Sequence, residues 1–115
     1  MPYYKYIDPS IGPDDFQMPI YSVAIENHTP DHPPHRHLRG QLLYSDAGTL
    51  NLQSEYFYFI LTPSKAAWIP SNWIHACSTK KAGLFRSLYI DTALFPALPK
   101  QLGIINVSPL LKSLN

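Results

Sequence analysis

Apolar and polar residues alternate along this chain in short runs, at the two-residue period of a half-buried strand. Residues 20–26 place Tyr21, Val23 and Ile25 on one face, and residues 49–53 point Leu50 and Leu52 inward with Asn51 outward. Residues 42–44, 66–69, 74–79, 84–90 and 104–107 read as further short strands. Residues 56–61 are apolar throughout, which predicts a strand covered on both sides or paired at an interface. Turn chemistry separates these runs at residues 45–48, 62–65, 70–73 and around Gly83. Residues 27–34 read as a Pro- and His-containing loop, with His28 and His32 as surface residues. Residues 91–103 hold two prolines and a helical turn near residues 93–95.

The two ends read differently. Residues 1–19 carry Pro2, Pro9, Pro13 and Pro19 with little periodicity and are expected to form an irregular arm lying on the domain. Residues 20–107 form the body. At residues 108–115, Ser108 suits a helix N-cap and Pro109 the first helical position, followed by Leu110, Leu111 and Leu114 as an apolar stripe. Under two turns of helix is not stable alone. The expectation is the start of a linking helix in a longer protein.

Composition narrows the class. One hundred and fifteen residues make one domain with a core of its own. Twelve prolines, eight tyrosines and only 15% charged residues favour short strands broken by many turns over a helical bundle. A net charge of +1 gives no electrostatic footprint for nucleic acid. The single Cys77 excludes an intrachain disulfide and fits a reducing compartment. No apolar run approaches a membrane span and no charged-then-apolar leader opens the chain, so the expected location is cytoplasmic.

The chemistry gathers in residues 35–41 and 70–75. His35 and His37 lie two residues apart, so an extended segment projects both imidazoles from one face, with backbones about 6–7 Å apart. His75 follows a turn on a separate strand. Three imidazoles brought to one barrel interior can hold a metal ion or a polar ligand. Gln41 shares their parity but lies about 13 Å from His37 in a straight strand, so a bend at Gly40 is needed to bring it in. Its neutral amide binds a cation less well than a carboxylate, which leaves the imidazoles as the main ligands. Arg39 has the same parity and offers a guanidinium either to a salt bridge or to an anionic effector. Cys77 shares the parity of His75 and reads chiefly as a small buried thiol, and Trp73 chiefly as packing. Arg39, Cys77 and Trp73 are the candidate lining of an effector pocket. No catalytic residue is assigned.

His35-x-His37, Gln41 and Gly48 resemble the first cupin motif, with Gln in place of Glu. Pro70-x-Asn72-x-x-His75 resembles the second, with Asn in place of Gly and Thr79 in place of Asn. Residues 39–44, 68–70, 86–90 and 108–111 make the chain most similar to the N-terminal sensor domain of AraC-family transcription regulators. The resemblance covers about residues 20–115. It implies an all-β fold, a cupin-type double-stranded β-helix (jelly-roll) barrel with a short C-terminal helix start. It further implies an effector-sensing and dimerisation domain that is not itself an enzyme. Its partners would be a small-molecule or metal effector, bound with or through a divalent transition metal such as zinc or nickel, and a second copy when full length. DNA would be met only through a domain outside this chain. The alternative is a small metal-dependent cupin enzyme, a dioxygenase or isomerase, although the missing carboxylate counts against an iron facial triad. A bare dimerisation module is a further alternative.

Overall fold

The computed structural model describes residues 3–4, 18–28 and 31–107. The terminal helix expected at residues 108–115, and all of the arm except Tyr3–Tyr4, Met18 and Pro19, lie outside these residues. Ten strands follow in chain order: β1 (Tyr3–Tyr4), β2 (Ile20–His28), β3 (Asp31–His35), β4 (Gly40–Ala47), β5 (Leu50–Ser54), β6 (Tyr58–Leu61), β7 (Lys65–Ile69), β8 (His75–Ser78), β9 (Gly83–Ile90) and β10 (Gly103–Asn106). Among the described residues the other regular element is a 3-10 turn at Thr92–Leu94, capped by the Asp91 side chain, which accepts from Ala93 N. Among the described residues no helix is long and apolar enough to cross a membrane.

The strands form two sheets. The larger runs β1-β2-β9-β4-β7-β10 and the smaller β3-β8-β5-β6. Every pairing is antiparallel except β1 with β2. Leu43, Ala67, Ile69 and Phe85 from the larger sheet meet Leu50, Leu52, Leu61 and Cys77 from the smaller in one apolar core. A second cluster, Tyr21, Val23 and Tyr89 with Met18 against it, lies on β2 and β9. Alternation explains both: β4 buries Gln41, Leu43 and Ser45 while Leu42 and Tyr44 are only partly covered.

Three local expectations change. The loop expected at residues 27–34 is mostly strand, because His28 pairs with Gly83 and residues 31–35 pair with β8. Pro33 and Pro34 are tolerated there because β3 is a sheet edge and its register shifts between His32 and His35. The turn expected at residues 45–48 shrinks to Gly48 and Thr49, since Ser45 is buried opposite Phe85 and its hydroxyl donates to Gly48 O at 2.6 Å. Gly48 turns the chain with φ of 87°, where a side chain would be strained. Residues 56–61 are not covered on both sides: β6 is an edge strand, with Tyr58 and Ile60 facing outward and exposed.

Candidate functional site

His35 ends β3 and stands opposite His75, the first residue of β8. After His35 the chain leaves the smaller sheet and crosses through residues 36–39 to begin β4 in the larger one. His37 lies on that crossing rather than on the same strand as His35. The turn before β8 is fastened to it: Asn72 N donates to His37 O at 2.8 Å, and Trp73 N to Pro70 O at 3.3 Å. Asn72 has φ of 61°, a left-handed conformation that Asn and Gly adopt more readily than other residues. That is the physical reason the cupin motif favours Gly at this position.

These two connections bring the three imidazoles together. One ring nitrogen of each lies within 4.8 Å of the others, and ring centroids are 4.4 Å apart for His35 and His75, 5.1 Å for His37 and His75, and 5.7 Å for His35 and His37. His37 and His75 are buried and His35 partly so. The Nδ1 atoms share one arrangement. His35 Nδ1 donates to Pro33 O, His37 Nδ1 to Arg39 O and His75 Nδ1 to Trp73 O, each at 2.7 Å. A carbonyl oxygen only accepts, so each bond fixes the proton on Nδ1 and leaves the Nε2 lone pair as the ligating position. Anchoring the remote ring nitrogen is how proteins orient metal-binding histidines.

The residues fit a divalent ion that prefers nitrogen ligands. Around zinc at about 2.0–2.1 Å, tetrahedral nitrogens sit roughly 3.3 Å apart, so closure from the observed spacing takes side-chain shifts of about an ångström. His35, His37 and His75 would be the ligands.

The facing wall comes from the larger sheet. Tyr21, Tyr89 and Gln41 are successive register partners on β2, β9 and β4 and all three are buried. Tyr21 and Tyr89 stack at 5.2 Å, and Tyr89 meets the His37 ring edge-on at 5.6 Å. Burial pushes the Tyr89 phenol up to about 12, against a smaller opposing effect of its hydrogen bond with Ser87. Gln41 Nε2 donates to Ser87 Oγ at 2.8 Å. Two buried polar atoms, His37 Nε2 and Gln41 Oε1, have no hydrogen-bond partner among the described residues. Arg39 is buried, with its guanidinium 5.0 Å from the Tyr21 ring centre and Nη1 donating to Pro19 O at 3.1 Å.

Of the other predicted pocket residues, Trp73 adjoins the histidines through its carbonyl, which accepts from His75 Nδ1, and both it and Cys77 belong to the apolar core or its edge. Cys77 packs in the apolar core beside Leu52, and burial raises its thiol to about 12. Trp73 packs against the edge of that core and donates to Ser54 Oγ at 2.9 Å. His75 also borders a cleft of about 340 Å³, with Pro34, Gln53, Ser54, Glu55, Ile74 and Ala76, at the side of the smaller sheet where Gln53 is exposed and its neighbour Leu52 is buried. Tyr21 and Ser87 entered the site without a signal in the sequence, because only the β2–β9–β4 register brings them there.

Comparison with known proteins gives this architecture a family. Apo ToxT from Vibrio cholerae, as a single-residue variant, matches with a TM-score of 0.60 at 10% identity over 85% of this chain and 45% of ToxT. Wild-type ToxT with a bound unsaturated fatty acid matches at 0.55 and 10% identity, over 83% and 42%. A further ToxT crystal form matches at 0.57 and 9% identity, over 83% and 45%. The chain thus spans less than half the length of these AraC-family regulators, and at such identity the likeness shows the fold: the nearly all-β, cupin-type architecture expected from the motifs. No curated protein sequence matches the chain. Residues 19–115 match the AraC-like ligand-binding domain. The chain belongs to that family, as a ligand-sensing domain of regulator type and not an enzyme.

Proposed function

We propose that this domain is the effector-sensing and dimerisation part of a cytoplasmic AraC-type transcription regulator, and that its sensing centre is a divalent metal ion, zinc or nickel, held by His35, His37 and His75. The observation that carries the metal is the shared orientation of three imidazoles, each tied through Nδ1 to a backbone carbonyl. The fatty acid bound to ToxT supports a small-molecule effector in a domain of this fold. Gln41, Tyr89, Tyr21 and Arg39 form the wall such a ligand would meet. Occupancy favours one arrangement of the domain and its flanking segments, and so changes how an attached DNA-binding domain is presented. Contact with DNA belongs to that domain. Pairing of two copies would match two DNA half-sites.

Elemental analysis of protein purified without a metal-affinity tag tests the centre. Metal is expected in the parent and lost in His75→Ala; a parent free of metal even after zinc or nickel is supplied rejects it. In the full-length regulator, effector and operator affinities must be linked reciprocally. Titrations showing no mutual change would remove the regulatory half of the proposal.

A further inference from the structure

The hairpin joining β5 to β6 is fixed at its neck, where Ser54 N donates to Phe57 O at 2.8 Å and Phe57 N to Ser54 O at 3.4 Å. Glu55 and Tyr56 fill the two turn positions and stand exposed. Glu55 borders the cleft of about 340 Å³ that Ser54 and His75 also line, a size suited to a small organic ligand. It is the one carboxylate in that lining, which holds no Lys or Arg. Among the described residues Glu55 forms no ion pair.

The rest of the lining combines apolar surface with acceptors. Ile74 is 51% exposed at the cleft, and Pro34 and Ala76 extend the apolar wall. Gln53 is exposed, and its amide makes no side-chain hydrogen bond among the described residues. A second hollow of about 260 Å³ shares Pro34, Gln53 and Ala76 with the first and reaches Tyr58. Gln53 and Tyr58 are register partners on β5 and β6, so their side chains lie next to each other on one face. The exposed Tyr58 ring offers a π face, which attracts a cation. No Lys or Arg lines the second hollow either.

We propose that this cleft binds a small organic amine in its protonated form. A primary ammonium carries three N–H donors and no acceptor, which suits the Glu55 carboxylate and the Gln53 amide oxygen. Its apolar body lies against Ile74 and Pro34. A neutral ligand of the same shape loses the charge-assisted bond, and an organic anion is repelled by Glu55. The site goes beyond the metal reading and stands whether or not an ion is bound. Trp73 joins the two places: its carbonyl accepts from His75 Nδ1, and its indole donates to Ser54 Oγ at 2.9 Å.

The chain has two tryptophans, so the two indole N–H signals in heteronuclear NMR give a local readout. Benzylamine should move the Trp73 signal saturably and leave that of Trp68, whose Nε1 donates to Pro99 O, in place. Glu55→Gln, at an exposed turn position, should weaken benzylamine binding about fivefold, the upper end for an exposed ion pair. Benzyl alcohol should bind the parent more weakly by the same factor, and benzoate more weakly still. Added salt should weaken the amine in the parent and not in Glu55→Gln. A Trp73 signal that benzylamine never moves overturns the inference. So does equal binding of benzyl alcohol, or a Glu55→Gln chain that holds the amine as tightly as the parent. None of these results bears on the metal centre, which the metal content of the parent and of His75→Ala decides separately.

Discussion

His35 and His75 face each other across the β3–β8 ladder with their rings 4.4 Å apart. Directly opposed residues in an antiparallel pair carry Cβ atoms about 4.5–5.5 Å apart, close enough for two side chains to reach one ion without backbone movement. Metal binding should therefore stabilise the ladder itself. At a hundredfold excess over its dissociation constant, an ion that binds only the folded chain adds about 2.7 kcal/mol. For a domain of this size that raises the melting temperature by on the order of 10 °C. Calorimetry with zinc or nickel should show this rise in the parent and its loss in both His35→Ala and His75→Ala. A full shift in either variant would place the ion elsewhere.

Gly40 opens β4 where the crossing from His37 ends, and the Trp68 ring lies against it. A Cβ at Gly40 would overlap Trp68 Cη2 and come within 2.9 Å of Thr92 Cγ2. Trp68 is 5% exposed and its Nε1 donates to Pro99 O at 2.7 Å, so the ring has little room to yield. Gly40→Ala should cost about 1–3 kcal/mol in urea unfolding, the usual range for overpacking. Gly103→Ala is the control, because nothing lies within 4 Å of a Cβ there. Equal stability of the two variants would show that Trp68 moves aside freely.

Much of this was legible in the residues, and the failures share a cause. Strands with clean alternation, such as β5 with Leu50 and Leu52 buried, appear where the period places them. The motif spacing also anticipates that His35, His37 and His75 converge. Pro33 and Pro34 hid β3, because only the topology shows that this strand is an edge where a missing N–H does no harm. Composition likewise could not say that residues 56–61 end at an edge. The row Tyr21–Tyr89–Gln41 depends on pairing between strands far apart in sequence, and that register is not written in any local pattern.

Cys77 and Tyr89 make the fold sensitive to alkali. Burial raises the thiol from 9.0 and the phenol from 10.0, each to about 12. Between those limits the unfolded chain releases protons that the folded chain retains, so stability falls as pH rises. Both groups are neutral in either state below pH 9, and no loss arises from them there. Above it, the decline should approach about 1.4 kcal/mol per pH unit for each group fully ionised only when unfolded. Urea titrations from pH 8 to 11 should show the fall beginning near 9, and Cys77→Ala should delay it toward 10. The buried thiol should also react with a disulfide reagent at pH 8 only as fast as the chain opens. Rapid labelling of the native protein would contradict its placement in the core.

The outer edge of the smaller sheet presents a different liability. Residues 56–61 read Tyr-Phe-Tyr-Phe-Ile-Leu, with no charge and no proline, and Tyr58 and Ile60 are 60% and 53% exposed on edge strand β6. An exposed apolar edge with high strand propensity is a template for pairing with another chain. Ile60→Lys places a charge on the outward face, opposite Asn51 in the β5–β6 register, and leaves inward Leu61 untouched. The substitution should raise the solubility limit and reduce scattering in concentrated solution, while stability in urea stays within about 0.5 kcal/mol of the parent, as for surface changes generally. Leu61→Ala, at a fully buried position, should instead cost about 2–5 kcal/mol through lost packing. If Ile60→Lys destabilises as much as Leu61→Ala, the outward face of β6 is covered in solution, and the assembly should be sought by sedimentation.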